Sequence, residues 1–114
     1  MASEMAKRQM ETFERLGATE KLVYRPAKAG LRMRTIVCMV NRLGNQQMMN
    51  GSAGRFEVTA LNDETDGIPA DDRLSDANAD RIDIAERRGG DAKARMILEF
   101  ADASDADWVV VRCA

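Results

Sequence analysis

The chain has 114 residues, 45% apolar and 32% charged, with net charge −2 and no histidine. That is the length of one domain, with enough apolar content for a modest core that needs no disulfide. The missing histidine removes the commonest general base and the commonest metal ligand. Mild acidity without a large basic cluster argues against a dedicated nucleic-acid binder.

The charge is unevenly placed. Residues 1–55 carry ten Lys/Arg against four Asp/Glu, net +6, and residues 56–114 carry seven against fifteen, net −8. Such polarity suits a surface that meets another protein, a second copy of itself included. Aromatics are confined to Phe13, Tyr24, Phe56, Phe100 and Trp108, so the core is expected to be aliphatic with methionine in its irregular gaps.

Residues 3–16 read as a helix within an amino-terminal unit, 1–18. Ser3 is a natural N-cap, Glu4 sits where the helix dipole favours an anion, and Gly17 is a natural stop. Ala6, Met10 and Phe13 recur at helical spacing, with Met5 and Leu16 beside them. The stripe is narrow and docks either on its own barrel or on a neighbour. Strands follow in the unit 19–114: 20–25, ended by Pro26; 32–41, apolar on both faces at its centre and so mid-sheet; and 55–61. Between the last two lies 43–54, LGNQQMMNGSAG, read as a mobile loop. Its adjacent Met48 and Met49 suggest ordering against a partner. After an acidic turn at 62–67 and an acidic connection carrying Asp71, Asp72, Asp76 and Asp80, strands are expected at 81–86, at 94–101 with Met96, Leu98 and Phe100 sharing a face, and at 107–112. Six short strands with regular turn signals imply a mainly β fold: a small antiparallel barrel or sandwich behind one helix.

The candidate chemistry is thin. Residues 62–67 resemble half of a calcium-binding EF-hand loop, but Arg73 stands where the closing glutamate belongs, so a solvated turn with an Asx-type bond is the better reading. Ser52, Ser75 and Ser104 have no histidine to activate them. Cys38 and Cys113 read as two buried thiols; a disulfide would need their strands adjacent and in register. There is no CxxC pair for zinc and no phosphate-binding loop. The expectation is a protein that is not an enzyme, with no catalytic residues, no metal and no cofactor. Arg25, Lys28, Arg32, Arg34 and Arg42 could border a groove for single-stranded nucleic acid, the alternative function. Only Tyr24 is near as a stacking platform, so cross-strand and inter-subunit ion pairs are preferred. The start has no signal-peptide h-region, and the longest apolar run, 36–40, is too short to span a bilayer, so a cytosolic setting and no membrane partner are expected.

Four segments carry a family resemblance: LVYRPAKAGLRMRTIVCMVNR, a hairpin leading into an R-T-I strand; FEVTALNDETDGI, a strand ending in an acidic turn; ADRIDIAERRGGDAKARMI, a hairpin with a glycine turn; and DADWVVVRC, the closing strand. In this order, over residues 20–113, they resemble the head–tail joining (head-completion, or neck) proteins of tailed bacteriophages. The resemblance implies a structural virion component, assembled in the host bacterial cytoplasm and located in the neck. It implies a homo-oligomeric ring that contacts portal or adaptor and tail proteins and lets packaged DNA pass through its lumen. The helix is not common to that family. On this reading the candidate contact residues are Met10 and Phe13 on the helix, Met48 and Met49 in the loop, Arg32 and Arg34, and Asp63, Glu64 and Asp66 opposite arginines of a neighbour or of the portal or tail.

Overall fold

The computed structural model describes residues 3–26, 32–42, 56–63, 65–68, 80–100 and 107–114, without the side chains of 98–100. They form one helix, α1 (Glu4–Arg15), and six strands: β1 (Glu20–Arg25), β2 (Arg34–Arg42), β3 (Phe56–Leu61), β4 (Arg81–Ala85), β5 (Ala92–Phe100) and β6 (Trp108–Cys113). Loop 43–54 with Met48 and Met49, Glu64, and Asp71, Asp72 and Asp76 lie outside the described residues.

The strands close into an antiparallel barrel in the order β1-β2-β3-β6-β5-β4. Of barrel and sandwich, the barrel is therefore the fold. Closure matters because it leaves no row of unpaired backbone groups on an open edge. The seam is made where Tyr24 and Arg25 of β1 lie opposite Ile82 and Arg81 of β4. Outside that seam, the Arg25 guanidinium donates to both Asp83 carboxylate oxygens at 2.9 and 2.8 Å.

Alternation along each strand sends one residue in two to the interior. Ile36 and Cys38, Val58 and Ala60, Ile82 and Ile84, and Val109 and Val111 are all buried in one cluster. A barrel of six strands is narrow enough for side chains to fill it. Full burial of each large aliphatic contributes about 1.5–3 kcal/mol. In β5 it is Ile97 that is buried, while Met96 is 38% exposed. An irregularity between Ile97 and Glu99 shifts the register against β6. The apolar run 96–98 carries no alternation to decide which parity faces in, so pairing decided it.

Charged side chains on the inward parity sit at the two barrel rims. At one, the Arg34 guanidinium lies 4.8 Å from the Tyr24 ring centre and donates to the Gly67 carbonyl at 2.7 Å, and the Tyr24 hydroxyl donates to Asp80. At the other, Arg95 lies over the Phe56 ring at 4.9 Å, and Arg42 forms a forked pair with Glu20 at 2.7 and 2.9 Å. Each guanidinium covers an aromatic face or a carboxylate where the apolar interior ends. The hydrogen bond from Arg42 is the chief reason the Glu20 carboxyl is held below its ordinary value.

Cys38 and Cys113 are free and buried. Burial pushes both thiols up to about 12, in the case of Cys38 with added repulsion from Glu20 and Cys113. They are core hydrophobes with no usable thiolate at neutral pH.

Candidate functional site

The outer wall of β2 and β3 carries the helix. Ser3 caps α1 by accepting from the Ala6 N–H at 3.2 Å, with Glu4 in the first turn and Arg15 in the last. Gly17 ends it at φ 75, a left-handed backbone that glycine adopts without strain. Ala6 and Met10 are buried against Leu61, with Val37 and Trp108 packed around them. Leu61 is on the outward parity of β3, so it is the helix that buries it. Phe13 meets Trp108 at a centroid distance of 6.5 Å and a tilt of 55°. The helix thus docks on its own barrel through Met10 and Phe13, while Met5 and Leu16 are left 71% and 75% exposed.

Polar clasps hold the same junction. The Ser3 N–H donates to Asp107 at 2.8 Å. Lys7 reaches Asp63 at 3.5 Å and Asp66 at 3.7 Å. The expected Asx turn is present: the Asp63 carboxylate accepts from the Thr65 and Asp66 N–H groups at 2.8 and 3.0 Å. The turn is not solvated at Asp63, however, which is only 6% exposed. Burial by itself would raise that carboxyl; the N–H donors of Asp66 and Thr65 and the Lys7 ammonium outweigh it and hold it below its ordinary value. Gly67 ends the turn against the backbone of β3. A side-chain carbon there would lie 1.9 Å from the Leu61 carbonyl oxygen, so the close approach requires glycine.

Between α1 and the outer face of β2 runs a groove of about 270 Å3, with Met10, Val37 and Leu61 along its apolar floor and Lys7, Glu11, Glu14, Thr35, Ile36 and Asp66 also lining it. Lys7 is spent on Asp63 and Asp66. Glu11 and Glu14 are exposed and take part in no ion pair among the described residues. The groove therefore has an apolar floor and an acidic rim.

Of the residues the sequence singled out, Met10, Phe13, Asp63 and Asp66 meet at this junction, Arg34 approaches it through Gly67, and Arg32 is exposed. Asp63 is turned toward Lys7 of its own chain. Lys7, Glu11 and Glu14 were not singled out by sequence: they read as a solvated helix face, and nothing local signals that Lys7 meets a turn so distant along the chain. Among the described residues there is no cluster of three or more Cys, Asp or Glu placed to hold a metal ion. No helix among them is long and apolar enough to cross a membrane. Compared with protein-family models, with curated proteins and with solved structures, the chain matches none.

Proposed function

We propose that the chain is a structural subunit of a tailed-phage neck, joining the head portal to the tail as a ring of identical copies around the DNA channel. The observation that carries this reading is where the molecule offers a recognition surface. The barrel interior is filled with apolar side chains, and its ends carry Arg34, Arg42 and Arg95. The acid-rimmed groove lies on the outer wall, beside a helix clasped to that wall. A filled barrel displaying a charged groove on its flank fits a role in lateral assembly. The element order, a strand hairpin, an acidic turn, a glycine hairpin and a closing strand, also supports it, since that order carries the resemblance to neck proteins.

The alternative, binding of single-stranded nucleic acid, has less to stand on. Three arginines of the candidate basic face are engaged within the chain: Arg25 with Asp83, Arg34 with Gly67 and Tyr24, and Arg42 with Glu20. Two measurements test the reading. Mass determination of the purified chain, alone and with tail-less particles, is expected to find a multi-copy assembly and attachment to the particles; a monomer that ignores the particles would refute it. Filter binding to single strands over a salt series is expected to show no salt-dependent retention, whereas affinity falling steeply with salt would favour the alternative.

A further inference from the structure

We propose that the turn between β4 and β5 of one copy seats in the acidic groove between α1 and β2 of the next. This rests on the ring reading and names the contact that would build it. Residues 86–94 are all exposed, so the β4–β5 hairpin projects from the wall. Its turn is slim: Gly89 takes φ 83, and the Gly90 N–H closes on the Arg87 carbonyl at 2.9 Å. Arg88 is tied to the Thr19 carbonyl at 2.8 Å and Glu86 pairs with Arg95 at 3.5 Å. Arg87 and Lys93 are left with no ion pair among the described residues, opposed on the hairpin by the single unpaired Asp91. The hairpin offers uncommitted cations where the groove offers the uncommitted carboxylates Glu11 and Glu14, and opposite charges brought together set register and orientation.

The positions suit a ring. In the closed order β1-β2-β3-β6-β5-β4, the groove lies on the outer face of β2, whereas the hairpin turn stands at the rim where β4 and β5 meet, so the two are different patches of one copy. A contact of one patch with a different patch on the next copy is heterologous, the type that propagates around a ring. The long stems of Arg87 and Lys93 also match an apolar floor with charge at its edge, since such side chains bury their methylenes and keep their heads at the rim.

The test uses the full chain at low salt, by sedimentation and by zero-length carbodiimide coupling read by mass spectrometry. The wild type is expected to self-associate and to yield a coupled peptide joining Lys93 to Glu11 or Glu14. Paired reversal on the hairpin, Arg87→Glu with Lys93→Glu, is expected to weaken association about tenfold or more, and so is Glu11→Lys with Glu14→Lys in the groove. All four positions are exposed, so both variants should keep the wild-type urea midpoint. Mixing the two variants restores complementary pairs and is expected to restore association. A wild type that assembles and is unmoved by either reversal overturns this contact while leaving the ring reading intact. Loss of assembly in both variants without rescue on mixing overturns the pairing. A wild type that is monomeric at every concentration overturns both.

Discussion

The barrel interior and the helix junction are built on different terms. Fourteen buried residues, thirteen from the six strands and Ile68 from the segment after β3, form the barrel cluster. The junction buries three, Ala6, Met10 and Leu61, and adds the Ser3–Asp107 and Lys7–Asp63 clasps. One region is held by enclosure and the other by a thin apolar contact with polar fasteners. The difference teaches where the molecule gives way first: α1 should open at a lower free energy than the barrel, and amide exchange should show its N–H groups less protected than those of β3 and β6.

Substitution sharpens the contrast. Ile84, fully buried in the barrel, has no route for its surroundings to collapse, so Ile84→Ala should cost about 2–5 kcal/mol in urea unfolding. Met10, 4% exposed beneath the helix, should cost less, about 1.5–3 kcal/mol for Met10→Ala, because the edge of a small cluster can close up. That loss should appear mainly as faster exchange in α1. Equal losses spread over the whole barrel would show that helix and barrel unfold as one unit. Ser3→Ala removes the cap on the Ala6 N–H and should cost about 1 kcal/mol, again confined to α1.

Acid should act on the fasteners. The Asp63 and Glu20 carboxyls are both held below their ordinary values of 3.8 and 4.5. A carboxyl depressed on folding stabilises the native state above its unfolded value, and that contribution is lost as pH falls through the folded value. Urea midpoints should therefore be flat near neutrality and decline below about pH 4–5. Asp63→Asn should lower stability near neutrality by about 0.5–1 kcal/mol, the scale of a partly exposed pair with Lys7, and should make the acid decline shallower. An unchanged acid profile in that variant would mean the clasp contributes nothing.

Much of the barrel was legible in the chain. The six strands were marked by their apolar and β-branched runs and their ends by turn residues, because side-chain period and turn chemistry are local. The inward face of β5 was not legible, since Met96, Ile97 and Leu98 are apolar in succession and only the register against β6 turns Ile97 inward. The capping of α1 by Ser3 and its stop at Gly17 were equally local. Its seat was not: Leu61 reads as an outward residue of β3 until the helix covers it. The acidic turn kept its Asx bond as expected, yet Asp63 lost its water to a lysine far away in the chain.

Composition and alternation thus determined a one-domain, aliphatic, six-stranded antiparallel fold behind a capped helix, because burial preference and backbone propensity act over a few residues. Closure of β1 on β4, the guanidinium-covered rims, the wall that α1 occupies and the groove beside it were decided only in three dimensions. Each depends on pairings between residues far apart in sequence, and no local pattern records which distant strand, carboxylate or aromatic face a side chain will meet.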